Sequence, residues 1–188
     1  MNDVINGYLG ILNTFSTKIN KIIMFGDSAG GNLIMGAVNY LILHELKVPD
    51  KVLMLYPALV CNANFFSPSM LNSYHDEILN FFHLQYVLLL YLGKENMSQF
   101  YNMFISPLFT PAEIMKRYPE THIICGDQDP LWDHSLYFCH LLGKLKVKVK
   151  LHVIKQFSHG FMYFYLRNKK WLKELQIILE KIKVIIES

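Results

Sequence analysis

Three residues far apart in the chain could together perform nucleophilic chemistry: Ser28, Asp129 and His159. Ser28 sits in G-D-S-A-G-G-N-L, residues 26–33, where the apolar run 21–25 ends and a helical pattern begins. A serine hydroxyl is a weak nucleophile unless an imidazole takes its proton as the new bond forms. An imidazole does that best when a carboxylate fixes its tautomer and stabilises the imidazolium. Asp129, in G-D-Q-D-P-L at 126–131, and His159, in Q-F-S-H-G-F at 156–161, each follow a further apolar run.

Local sequence adds detail to each position. The pattern G-x-S-x-G between strand and helix predicts a sharp elbow with the serine at its tip. Gly26 and Gly30 are expected to allow the tight fold on either side of Ser28, and Asp27 completes the turn. Ala29 and Gly31 are expected to keep bulk away from the place where an acyl carbonyl docks. The first N–H groups of the following helix face the same place, so Ala29 N–H is the expected oxyanion donor. Pro130 restricts Asp129 to extended backbone, which suits a loop leaving a strand. Asp127 competes for the role of acid. Asp133 reads as a helix-start residue, and histidines 44, 75, 83, 122, 134, 140 and 152 as surface or packing residues.

The elements that must position these residues follow from periodicity. Helices are expected over 3–19, 29–46, 75–93, 111–116, 133–143 and 168–187, and strands over 21–25, 51–56, 121–125 and 147–154. Strands alternating with helices predict an α/β fold with a parallel sheet of about four strands. In such a sheet the C-terminal strand ends share one edge, where three post-strand loops can converge. A long insertion separates the second and third strands, with a helical, cap-like part over about 62–112. Its residues Phe81, Phe82, Tyr86, Leu88, Leu89 and Tyr91 would suit an acyl chain, or simply pack a helix. The greasy stretch 78–92 is too short for a membrane span and reads as a buried helix. Residues 144–155 alternate lysine with apolar side chains, as an edge strand with one wet face does. On the last helix Leu172, Leu175, Leu179, Ile182 and Ile186 form the expected core stripe.

Serine, acid and histidine in that order are the chain order of an α/β-hydrolase triad. G-D-S-A-G-G-N-L at 26–33, D-P-L at 129–131 and H-G-F at 159–161 resemble the hormone-sensitive lipase family of serine esterases. V-P-D at 48–50, Y-P-A at 56–58, S-P-S at 67–69 and S-P-L at 106–108 add to the likeness. The resemblance implies a partial α/β-hydrolase fold. It also implies cleavage of carboxylic esters, including acylglycerols or other lipid esters, without metal or organic cofactor. An arylacetamide-deacetylase-type carboxylesterase would share the chemistry and differ in substrate. Members of the family carry H-G-G-G upstream of the serine, and this sequence contains none, with 27 residues before Ser28. A missing upstream segment or partner subunit is therefore expected, and a catalytically impaired fragment acting by association is the alternative.

Composition bounds the remaining choices. The 188 residues suffice for one domain with a sizeable core, here expected to be truncated. The sequence is 52% hydrophobic and 14% aromatic, which suits a lipid-like ligand, association with a lipid surface or a missing partner. A net charge of +3 is too mild to argue for nucleic acid. Three cysteines in no metal spacing and no signal-peptide pattern point to a cytoplasmic setting, with lipid-droplet or membrane association as a variant.

Overall fold

A computed structural model describes all residues except 16–17, 63–64, 77, 94–98, 100 and 166–171. Four strands, β1 (Ile23–Asp27), β2 (Lys51–Leu55), β3 (Glu120–Gly126) and β4 (Val149–Ile154), form one sheet in the order β1-β2-β3-β4. All three pairings are parallel, with Asp27 beside Leu55, Leu55 beside Ile124 and Gly126 beside Ile154. This alignment brings all four C-terminal ends to one edge. The eight α-helices among the described residues are α1 (Asn2–Phe15), α2 (Ala29–Leu43), α3 (Pro68–Asn72), α4 (Phe81–Leu92), α5 (Ala112–Met115), α6 (Trp132–Lys144), α7 (Phe161–Tyr165) and α8 (Leu172–Glu187).

Burial explains the sheet. Every residue of β2 is buried, as is β3 beyond Glu120, so both strands read as continuous apolar runs. β4 has no fully buried residue, and Lys150 and Val153 are exposed, as are Lys144, Lys146 and Lys148 leading into it, as expected of an edge. The core joins Ile34, Val38 and Ile42 of α2, the strands β2 and β3, Phe138 and Leu142 of α6, and Ile178, Ile182 and Ile185 of α8. β1 pairs with β2 alone among the described residues, and Phe25 at its free edge is 51% exposed.

Several expectations are corrected. β1 begins two residues later than the periodicity suggests and runs into the elbow, because its ladder with β2 extends to Asp27. Residues 16–17 and 168–171 of the expected first and last helices lie outside the described residues. The loop after Pro57 contains α3, which starts at Pro68 with Ser67 accepting the Met70 N–H. The expected helix over 75–93 divides: a 3-10 turn, Ser73–His75, precedes α4, which starts where Asn80 Oδ1 accepts the His83 N–H. α4 is not a buried helix, since only Leu84, Leu88 and Leu92 are covered while Phe82, Tyr86, Leu89 and Leu90 face outward. On α8 the buried stripe is Leu175, Ile178, Ile182 and Ile185. Leu179 and Ile186 are exposed, and the Leu172 side chain lies outside the described set.

Candidate active site

Ser28 lies between β1 and α2 with φ 49° and ψ −116°, a backbone region that a non-glycine residue enters only when its surroundings hold it there. Its N–H donates to Leu55 O at 2.9 Å, and its carbonyl accepts from Gly31 N and Ala58 N, each at 3.1 Å. These bonds tie the elbow to the end of β2. Gly26 is required by close approach, because a Cβ there would meet the Ile34 side chain at 2.7 Å and Gly30 C at 2.9 Å. Gly31 serves packing rather than access for a carbonyl, since its added Cβ would strike Pro57 Cβ at 2.7 Å. Gly30 has only Asp27 Oδ1 nearby, at 3.9 Å, so the tightness expected there is absent. Asp27 itself engages the Tyr163 side chain.

The loops after β3 and β4 bring the other two residues to Ser28. His159 Nε2 is 2.9 Å from Ser28 Oγ. His159 Nδ1 is 3.0 Å from Asp129 Oδ2 and 3.1 Å from Oδ1. An ionised carboxylate only accepts, so Nδ1 carries the proton and Nε2 is left to accept from the serine hydroxyl. Asp129 is 1% exposed and also accepts the Leu131 N–H at 2.7 Å. Asp127 points elsewhere, with Oδ1 accepting the Gln156 N–H at 2.7 Å and closing the turn beyond β4. The two loops touch at Gly126, where an added Cβ would fall 1.9 Å from Phe157 O. Ala29 N–H, the first of α2, has no carbonyl one turn back within its helix.

Other contributors were not legible from motifs. Tyr56, at the end of β2 with φ 37°, sets its ring edge-on to His159 at a 4.9 Å centroid distance and to Phe161 at 4.8 Å. Asn32, inside the serine motif, donates to Ala58 O and Ile105 O, both at 2.7 Å, fastening the β2–β3 insertion to α2. Asp133 lies in the first turn of α6, but its carboxylate accepts the Ser69 N–H at 2.7 Å and so serves the start of α3.

A cavity of about 180 Å³ opens beside Ser28, lined almost wholly by apolar atoms. Ala29, Cys61, Leu79, Leu88, Tyr91 and Leu131 contribute to its wall. Of the insertion residues expected to meet an acyl chain, Leu88 and Tyr91 line it, whereas Phe81, Phe82, Tyr86 and Leu89 do not. Burial pushes the Cys61 thiol up to about 12, so it is a neutral wall group and not a thiolate. Among the described residues no group of three His, Cys, Asp or Glu side chains is placed to hold a metal ion. Among them, too, no helix is long and apolar enough to cross a membrane.

The family model described as alpha/beta hydrolase fold matches residues 1–163. The chain belongs to this alpha/beta hydrolase family. Hormone-sensitive lipase of Ictidomys tridecemlineatus is 31% identical over 85 residues, which are 45% of this chain and 11% of that protein. Vegetative-specific protein H5 of Dictyostelium discoideum is 29% identical over 175 residues, covering 85% of this chain and 47% of its own length. The chain thus spans less than half the length of each of these relatives. Among solved structures, brefeldin A esterase, a bacterial homologue of human hormone-sensitive lipase, superposes with a TM-score of 0.84 at 17% identity. That match covers 96% of this chain and 51% of the esterase. Pyrobaculum calidifontis esterase gives a TM-score of 0.81 at 21% identity, covering 99% of this chain and 59% of its own. These likenesses establish the fold that the chain shares with the esterases.

Proposed function

We propose that this chain hydrolyses carboxylic esters by a serine mechanism through an acyl-enzyme. The observation that carries the reading is the line Ser28 Oγ, His159 Nε2, His159 Nδ1, Asp129 at hydrogen-bond distances, set at the mouth of an apolar cavity. Ser28 Oγ attacks the ester carbonyl carbon and its proton passes to His159 Nε2. Asp129 holds the Nδ1–H and stabilises the imidazolium. The tetrahedral oxygen accepts the Ala29 N–H. The C–O bond to the alcohol then breaks, and the leaving oxygen takes the proton from Nε2. Water, deprotonated by His159, releases the acid and restores Ser28. An apolar cavity of 150 Å³ accommodates benzene, so about 180 Å³ suits an acyl chain of roughly six to eight carbons. Acylglycerols and other lipid esters, delivered from a lipid surface or free in a cytoplasmic setting, are the substrate class. A fluorophosphonate probe tests the reading: it should label the protein at Ser28 and not label Ser28→Ala, and label found on another serine refutes it.

The second reading is a catalytically impaired chain that acts by association, with a further strand from an upstream segment or partner subunit pairing with β1. The edge of β1, which pairs with β2 alone among the described residues, and its exposed Phe25 favour it. Loss of one oxyanion donor slows turnover by about 10²–10³. Turnover that appears only when such a segment is added supports this reading; full turnover by residues 1–188 alone refutes it. On either reading, the domain is a single hydrolase unit with a cap-like insertion over about 62–112.

A further inference from the structure

The segment from Ser67 to Leu79, inside the β2–β3 insertion, reaches both loops that carry the acid and the base. At its start, Ser69 Oγ donates to Pro130 O at 2.9 Å, and Asp133 Oδ2 accepts the Ser69 N–H. These contacts grip the loop that carries Asp129. At its end stands Asp76, partly buried, whose two carboxylate oxygens have different tasks. Oδ1 accepts the N–H groups of Ile78 at 2.8 Å and Leu79 at 2.7 Å. Oδ2 accepts from the Ser158 hydroxyl, and Ser158 directly precedes His159. Leu79 lines the cavity beside Ser28.

We propose that Asp76 is a positioning residue: one carboxylate that holds the general-base loop and the acyl-cavity wall in a single register. The inference rests on the serine-esterase reading for its kinetic consequences, though not for its geometry. Three observations converge on it. Asp76 is 82 residues from Ser158, so the bond is a tertiary tie and not a local turn. The backbone leading to His159 is held at Phe157 O by the Gln128 N–H and at the Gln156 N–H by Asp127, and Asp76 adds the tie at Ser158, the residue next to the imidazole. Leu79 enters α4 through Asn80, so the two N–H bonds to Oδ1 set where the whole cavity-facing helix begins. A carboxylate is the suitable group, because it alone among side chains offers two acceptor oxygens that can serve two donors on opposite sides.

The two arms can be cut separately. Ser158→Ala removes the base-loop arm and leaves the Leu79 arm. Asp76→Ala removes both. Asp76→Asn keeps an oxygen for the backbone N–H groups and offers its amide to Ser158 Oγ. Kinetics on esters of two to twelve acyl carbons should show Ser158→Ala lowering kcat about 10–100-fold at every chain length, the usual result of a small misplacement of a catalytic group. Asp76→Ala should lower kcat as much and also flatten the chain-length preference. The double variant should be no slower than Asp76→Ala, and Asp76→Asn should recover most of the loss. Multiplying effects in the double variant, or an unchanged kcat in Ser158→Ala, overturns the proposal, and the latter decides it even where Asp76→Ala does not fold. A second readout needs no turnover: the downfield NMR resonance of the His159 Nδ1 proton should exchange faster in Ser158→Ala. Unchanged exchange refutes the positioning role, whereas turnover that survives Ser28→Ala refutes the serine mechanism instead.

Discussion

Replacing Asp129 by asparagine tests the candidate triad at its most buried member. In the native site Oδ1 accepts the Leu131 N–H at 2.7 Å, and both oxygens face His159 Nδ1, at 3.0 and 3.1 Å. An asparagine retains one oxygen, and the Leu131 N–H, the shorter contact, claims it. The amide NH2 then points at His159 Nδ1, which must become an acceptor, so the ring proton moves to Nε2. In that tautomer Nε2 can no longer take the proton of Ser28 Oγ, 2.9 Å away. A carboxylate-to-amide change with this consequence costs about 10⁴ in kcat, or roughly 5–6 kcal/mol of transition-state stabilisation. The fold should survive, since the change is isosteric and the buried amide keeps two partners. The control is Asp127→Asn, which touches the turn bond to Gln156 N and the contact with Gln128 Nε2 and should cost less than tenfold. The assay is kcat on a soluble ester whose acyl part fills the cavity, with circular dichroism to check folding. An Asp129→Asn protein that is folded and turns over within tenfold of wild type refutes the assignment. So does a larger loss at Asp127.

His134 is buried with neither ring nitrogen hydrogen-bonded among the described residues, and it rests edge-on against Phe65 at 5.5 Å. Burial pushes its pKa down from 6.5 to about 4, with Asp133 opposing and His159 adding to the fall. The unfolded chain therefore takes up the proton first, so stability is full above about pH 6.5 and falls by about 3 kcal/mol as pH drops toward 4. His134→Leu should be neutral or stabilising at pH 7 and should flatten that limb of the pH–stability curve; an equally steep limb in the variant refutes the argument. Asn39 donates to Met103 O and Thr110 Oγ1, both at 2.9 Å, and accepts from Tyr118 Oη at 2.6 Å, all in the interior. Asn39→Leu should cost about 3 kcal/mol and Tyr118→Phe about 1 kcal/mol, read from denaturant unfolding; equal losses would contradict the network. Val87 lines the cavity at its exposed mouth. Val87→Trp should lower kcat/KM about tenfold or more for eight-carbon acyl esters while sparing acetates, and a uniform loss would disconnect the cavity from acyl binding.

The sheet was legible because two of its strands have no wet face and the run leading into the last alternates lysine with apolar residues. Val52 to Leu55 and Thr121 to Cys125 have no wet face, and the lysines of the last strand mark one. Helices were less legible where burial departs from periodicity. α2 is buried nearly all round, so no stripe distinguishes it, and α4 is apolar all round yet covered on one face only. On α8 leucines and isoleucines recur at spacings that support two neighbouring stripes, and Leu175, Ile178, Ile182 and Ile185 are the ones buried. The short α3 has too few residues for any period and is specified by a cap, Ser67, and a proline at its start.

The same distinction runs through the site. Ser28, Asp129 and His159 announce themselves because each must sit in a particular local frame, an elbow or a post-strand loop, and such frames demand particular neighbours in the chain. Asp76 and Asp133 have no such frame. Asp133 occupies an ordinary helix-start position, and only the three-dimensional approach of Ser69 gives its carboxylate a different partner. Asp76 ends a 3-10 turn where any small polar residue would serve locally, and its bond to Ser158 crosses 82 residues. The acid loop and the base loop bond to one another directly, Gln156 N–H to Asp127 Oδ1 and Gln128 N–H to Phe157 O, and the insertion adds a further tie to each through side chains whose value depends on tertiary distance. An insertion that only covered the strand ends could be exchanged freely for another of similar length. One that holds both loops cannot, and shortening it between Ser69 and Asp76 should slow the chemistry before it alters the acyl preference.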